Sequence, residues 1–78
     1  MNLVLYSKPG CHLCAAVRAD LARWGAGFEE RDITTNAAWF ERFQYLIPVL
    51  EAADGRMLEP PITTEALAAF VQGNHQAT

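Results

Sequence analysis

The fold hangs on the stretch Leu5-Tyr6-Ser7-Lys8-Pro9-Gly10-Cys11-His12-Leu13-Cys14. Leu3-Val4-Leu5-Tyr6 leads into it as a short apolar run, the pattern of a buried strand. Ser7-Lys8-Pro9-Gly10 breaks that run. Apolar residues then return at helical spacing, at Leu13, Val17, Leu21 and Trp24, with Arg18, Asp20 and Arg23 in polar positions between them. This predicts an amphipathic helix that opens at Cys11 and is ended by Gly25 and Gly27. Two cysteines separated by two residues thus fall where a strand gives way to a helix.

Working outward, Phe28 to Ile33 reads as a charged edge strand, because Glu29, Glu30, Arg31 and Asp32 discourage edge-to-edge pairing with other chains. Thr35 or Asn36 can cap a short helix that runs to about Phe43. Pro48 to Ala53 reads as a strand opened by proline. Asp54-Gly55 signals a two-residue hairpin turn, with Arg56 to Glu59 pairing back until Pro60-Pro61 stops it. Thr63 or Thr64 caps a last helix with Glu65 in its first turn, Leu67, Phe70 and Val71 as its apolar stripe and Gly73 at its end. Residues 74–78 read as a frayed tail. Trp39, Phe40, Phe43 and Tyr45 crowd the second helix and its exit, most expected in the core and one or two in an exposed patch.

The order β-α-β-α-β-β-α predicts an α/β domain over residues 1–78, with a four-stranded mixed sheet flanked by three helices. Its first two strands are expected to be parallel with a right-handed crossover. The helix starting at Cys11 then begins just past the carboxyl end of the first strand, where open α/β sheets place their sites.

A chain of 78 residues allows one domain of modest stability. Its formal net charge of −3 and lack of any basic run argue against nucleic-acid binding. No stretch approaches the ~20 apolar residues of a membrane span, and the first residues have neither a charged leader nor a cleavage pattern. A cytoplasmic location is therefore expected. A secreted domain this small would carry several spread-out cysteine pairs, and a bridge across so short a loop constrains little of the unfolded chain. Cys11 and Cys14 therefore read as chemistry. The thiolate is the reactive form of cysteine, and a helix N-terminus stabilises it. Cys11, at the exposed helix start, is the expected attacker, and Cys14, inside the first turn, the expected resolver. Lys8 can add positive charge. His12 either tunes the thiol and shuttles protons or faces solvent as an ordinary helix residue. Two inert core cysteines are the structural alternative. A structural zinc site lacks its second cysteine pair; His12 lies between the two cysteines and His75 falls in the tail, so no metal is expected. Ile47-Pro48 is expected trans on local grounds, since only about 5–6% of such bonds are cis in folded proteins.

The stretch from Leu5 to Cys14, followed by Asp32-Ile33, Ile47-Pro48-Val49-Leu50 and the Asp54-Gly55 turn, resembles glutaredoxin-like proteins of the thioredoxin fold, in particular small bacterial domains with the same Cys-His-Leu-Cys form. The resemblance implies that Cys11 attacks disulfides and that Cys14 resolves the mixed disulfide. It implies a cis bond before Pro48 and pairing of an extended substrate with the Ile47 backbone. It makes glutathione the candidate co-substrate. Two departures bear on that: His12 and Leu13 stand where glutaredoxins carry Pro and Tyr, and Leu58-Glu59-Pro60-Pro61-Ile62-Thr63-Thr64 lacks their Gly-Gly. Thr63 and Thr64, at a helix start, can still offer hydroxyl and amide contacts to a carboxylate. The leading expectation is a monomeric thiol–disulfide oxidoreductase without a resident cofactor, with protein disulfides as substrates and a dithiol protein as reductant. A non-catalytic binding or redox-sensing module, and an iron–sulfur carrier that dimerises through Cys11, are the rival expectations.

Overall fold

A computed structural model describes residues 3–73. The tail at 74–78, with His75, lies outside the described residues. The elements are β1 (Leu3–Ser7), α1 (His12–Arg23), β2 (Phe28–Asp32), a 3-10 turn (Ile33–Thr35), α2 (Ala37–Phe43), β3 (Val49–Glu51), β4 (Met57–Leu58) and α3 (Thr64–Gly73). They form one mixed sheet in the order β2-β1-β3-β4. β1 pairs in parallel with β2, Leu3 opposite Phe28 and Ser7 opposite Asp32. It pairs antiparallel with β3, Leu5 opposite Leu50. The expected α/β architecture, with β2 at an edge, is what forms.

Alternation along β1 divides the core. Leu3 and Leu5 face Val17 and Leu21 of α1, Leu50 of β3 and Leu67, Phe70 and Val71 of α3. Tyr6 faces the other way, into a smaller cluster with Ile33, Phe43 and Val49 under α2. There the Tyr6 and Phe43 rings stand 4.3 Å apart. The Tyr6 hydroxyl donates to Glu51 Oε1 at 3.0 Å and accepts from Arg31 at 3.1 Å. Burial first, then the bond to the Glu51 carboxylate, raises its pKa above the ordinary tyrosine value.

Local chemistry sets the boundaries. Asn36 caps α2 by accepting from the Trp39 N–H at 3.1 Å. Thr63 caps α3 by accepting from the Ala66 N–H at 3.0 Å. Gly25, at φ 69°, lets the chain leave α1 through the left-handed region. On the α1 face of β2, Glu30 accepts from Arg18 Nε at 2.8 Å and from the Ser7 hydroxyl at 2.7 Å, tying α1 to both strands.

Several expectations give way. The apolar stripe of α1 is Cys14, Val17 and Leu21. Leu13 is 65% exposed, and Trp24, 38% exposed, lies past the last turn of α1 beside α3. Ile33 opens the 3-10 turn instead of ending β2, since Asp32 accepts from the Thr34 N–H and turns the chain. β3 is only Val49–Glu51 and β4 only Met57–Leu58. The connection between them is longer than two residues: Ala52 N–H donates to Arg56 O and Gly55 N–H to Ala52 O, a turn closed through Gly55 at φ 94°. Of the aromatics on α2 and its exit, Phe43 is buried and Trp39 packs half-buried against the Tyr6 cluster, while Phe40 and Tyr45 are the two exposed, Tyr45 at 90%. Ile47-Pro48 is cis, as the resemblance implied and local statistics did not. Pro60-Pro61 is also cis, which nothing local signalled.

Two outcomes test this packing. Leu50, fully buried between β1 and both flanking helices, is expected to cost about 2–5 kcal/mol when cut to alanine, a large share of a small domain's stability. Urea unfolding should show that loss, against a change within about 0.5 kcal/mol for exposed Glu41→Ala. The second concerns acid. Arg18 foremost, and the Ser7 hydroxyl after it, hold the Glu30 carboxyl below the ordinary glutamate value of 4.5. The folded state then binds fewer protons than the unfolded, so the contribution is present above that value and is lost as pH falls through the lowered one. The stability gap between the protein and Glu30→Gln should therefore shrink between pH 6 and pH 3; a constant gap would exclude the linkage.

Candidate functional site

Cys11 sits at the N-cap of α1, reached from β1 through Lys8, Pro9 and Gly10. Gly10 adopts φ 80°, a left-handed turn that brings the chain from strand to helix within three residues. Cys11 and Cys14 form a disulfide with their Cα atoms 5.2 Å apart. Their burial differs: Cys14 is fully buried, whereas Cys11 is only half-buried. Cys11 Sγ also accepts the Cys14 backbone N–H at 3.1 Å, so a sulfur does the capping that a serine or aspartate oxygen usually does. An N–H aimed at that sulfur and the positive end of a twelve-residue helix both favour negative charge on Cys11 once the bond is reduced.

Pro48 belongs to the same end of the sheet. Tyr6 pairs with Val49, and one further step of that antiparallel register sets Pro48 beside Ser7, four residues before Cys11. Pro48 then lines a groove of about 180 Å³ together with Leu13 and Val17 of α1, Thr63, Thr64 and Leu67. Four of the residues singled out from the sequence, Leu13, Pro48, Thr63 and Thr64, thus meet in one place.

The others do not join them. Lys8 lies on the β2 side of the disulfide, exposed, in a separate recess with Ser7, Arg18, Glu30 and Asp32. His12 is exposed and lines neither recess. Ile47 is half-buried against the Tyr6–Phe43 cluster, and its N–H donates to Phe43 O at 3.2 Å. The Thr63 and Thr64 hydroxyls are both engaged within the protein: Thr63 at its own helix cap, and Thr64 as donor to Asp20 Oδ2 at 3.3 Å.

Sequence reasoning passed over Asp20, Ala16 and the Pro60-Pro61 wall of this groove. The signal for the first two was present. Leu13, Ala16, Val17 and Asp20 follow i, i+3, i+4, i+7 and share one helix face. On spacing alone Asp20 is an ordinary polar position of that helix. Its carboxylate is held from two sides, by Thr64 and by Arg23 at 2.6 Å. Among the described residues no group of three or more His, Cys, Asp or Glu is arranged to hold a metal ion, and no helix is long and apolar enough to cross a membrane.

Comparison with known proteins agrees with this geometry. Residues 2–72 match the family described as Glutaredoxin-like domain (DUF836). An X-ray structure of the protein XcR50 from X. campestris is similar at TM-score 0.80 and 33% identity, over 91% of this chain and 96% of that one. A mutant form of the thioredoxin-like protein BC3987 is similar at TM-score 0.61 and 26% identity, over 72% of this chain and 81% of that one. Glutaredoxin from Brucella melitensis shares the fold at TM-score 0.55 and 24% identity, over 94% of this chain and 80% of that one. No curated protein matches the chain. With a paired Cys11 and Cys14 at the start of α1, a cis Pro48 at the same end of the sheet and a family match over nearly its whole length, the chain belongs to the glutaredoxin-like proteins of the thioredoxin fold.

Proposed function

We propose that the protein is a thiol–disulfide oxidoreductase that acts on protein disulfides or mixed disulfides and is itself reduced by another protein dithiol. The observation that carries this reading is the uneven burial of the Cys11–Cys14 pair at a helix N-terminus, one sulfur reachable and the other enclosed. Reduced Cys11, as thiolate, attacks one sulfur of a substrate disulfide. A Cys11–substrate disulfide forms and one substrate thiolate leaves. Cys14, after losing its proton, attacks Cys11 Sγ, and the second substrate thiolate leaves. Two electrons have passed to the substrate, the Cys14 proton goes to one of its thiolates, the other thiolate takes a proton from solvent as the medium requires, and the protein holds the Cys11–Cys14 disulfide. The dithiol partner reverses the sequence and carries the oxidising equivalents away. The reducing cytoplasm is the setting in which such a pair cycles.

The surroundings fit those steps. Lys8, three residues before Cys11, adds positive charge on the β2 side, and His12, the next residue after Cys11, is exposed. An extended substrate meets the Ile47 carbonyl, since the Ile47 N–H is engaged at Phe43. Glutathione fits less well. Its charged ends find no Gly-Gly turn at residues 58–64, the Thr64 hydroxyl already donates to Asp20, and Leu13 offers no aromatic face. Losing charge-assisted contacts of ~1.5–3 kcal/mol each weakens binding by at least about tenfold.

Three measurements test the reading. Alkylation at graded pH, read by peptide mass spectrometry, should label Cys11 well before Cys14 at mildly acidic pH; the reverse order would exchange their roles. Cys14→Ser should accumulate a stable mixed disulfide with a protein substrate, whereas Cys11→Ser should form none. Reduction of the oxidised protein by glutathione should show no saturation and run at least about tenfold slower than reduction by a thioredoxin-type dithiol at equal thiol concentration. Saturating reduction by low glutathione that outpaces the protein dithiol would sink the choice of reductant.

A further inference from the structure

Among the described residues, Met57 carries the one sulfur outside the disulfide. It stands on β4 opposite Glu51 and packs half-buried against the Tyr6 cluster. Its Sδ is not enclosed there. Arg42, in the last turn of α2, aims Nη2 at that sulfur from 3.6 Å, in a contact that lies at the surface. The same guanidinium sits over the Phe43 ring at 4.8 Å, which holds it in place. Arg18, Arg23, Arg31 and Arg56 each pair with a carboxylate; among the described residues Arg42 has none. A fixed positive charge with several N–H donors is thus spent on a thioether, a weak acceptor.

We propose that Met57 is an oxidation site for hydrogen peroxide and that Arg42 receives the oxygen placed on its sulfur, so that the fold survives the modification. A lone pair of Sδ attacks one peroxide oxygen; the O–O bond breaks and an S–O bond forms. The departing hydroxide takes the proton of the transferred oxygen and leaves as water. The sulfur has lost two electrons and the peroxide has gained them. A sulfoxide in an apolar cluster ordinarily disrupts packing, because a flexible apolar side chain becomes polar. Here a donor is already aimed at the sulfur. An oxygen added on the guanidinium side comes closer to the Arg42 N–H groups than the sulfur does, and accepts a charge-assisted bond stronger than the N–H contact to sulfur it replaces. The reaction does not draw on the dithiol, so this site stands or falls independently of the oxidoreductase reading. Reversal belongs to the class of thiol-dependent reductases that act on methionine sulfoxide.

The test uses the protein with Cys11–Cys14 closed, so that no thiol consumes peroxide. After peroxide treatment, peptide mass spectrometry separates Met57 from Met1. Met57 should gain one oxygen at a rate within about tenfold of methionine in a short peptide of the same local sequence, as a sulfur at the surface requires. Urea unfolding then compares each protein with its own oxidised form. The folding equilibrium constant of the parent should change by less than about threefold, whereas Arg42→Leu, which keeps a cover over Phe43 and removes every donor, should lose about tenfold or more on oxidation. Arg42→Lys, which keeps a charged donor, should restore most of the tolerance. In the parent itself, the side-chain N–H resonances of Arg42 should shift on oxidation while those of Arg18 stay. A Met57 left intact when the control peptide is fully converted, an equal effect of oxidation on the parent and on Arg42→Leu, or unmoved Arg42 resonances would each overturn the proposal.

Discussion

β1 is the strand on which the rest of the molecule depends, because it is the longer of the two inner strands, hydrogen-bonded on both edges and packed on both faces. Leu3, Leu5 and Ser7 point to the α1–α3 side, Val4 and Tyr6 to the α2 side, and every one of them except Val4 is buried. With a side-chain period of two, a slip of one residue would send Tyr6 into the larger core and Leu5 under α2. The register is therefore fixed from both sides at once. That constraint reaches the site directly. Only Lys8, Pro9 and Gly10 separate the end of β1 from Cys11, so the disulfide has little freedom to stand anywhere else. Pro48 is held in the same way, one step beyond Val49 in the ladder that β3 makes with β1. The cysteines and the cis proline are far apart in sequence and are brought together by a single strand.

How much of this could be read from the sequence follows from how local each cause is. The β1 run, the α1 spacing, the Asn36 and Thr63 caps and the placement of the cysteines are short-range, and the structure contains them all. The apolar stripe of α1 was only half legible. Periodicity defines a helix face but does not say how far a neighbouring element extends over it. α3 and the sheet cover Val17 and Leu21, whereas Leu13 projects past them over the groove and Trp24 lies past the last helical turn. The cis bond at Pro48 came from family resemblance, since its isomer is set by tertiary surroundings. No comparable pattern pointed to Pro60-Pro61. Asp20 was legible as a position on the groove face but not as a partner of Thr64, because that pairing spans 44 residues and exists only once α3 docks on α1.

The chain is acidic, yet the carboxylates nearest the disulfide are not loose. On the β2 side Glu30 is held by Arg18 and Ser7, and Asp32 accepts from Thr34. On the groove side Asp20 is held by Thr64 and Arg23. Carboxylates fixed in this way cannot swing toward Cys11, where a neighbouring negative charge would oppose the thiolate. What does bear on Cys11 is favourable: the α1 N-terminus, the Cys14 N–H and Lys8 close by in the chain. Cys14 has the opposite environment, since full burial disfavours its charged form. The two sulfurs therefore stand in opposite surroundings within one turn of α1, one at a half-exposed helix start and the other enclosed by the core, and it is the short connection from β1 that sets them so.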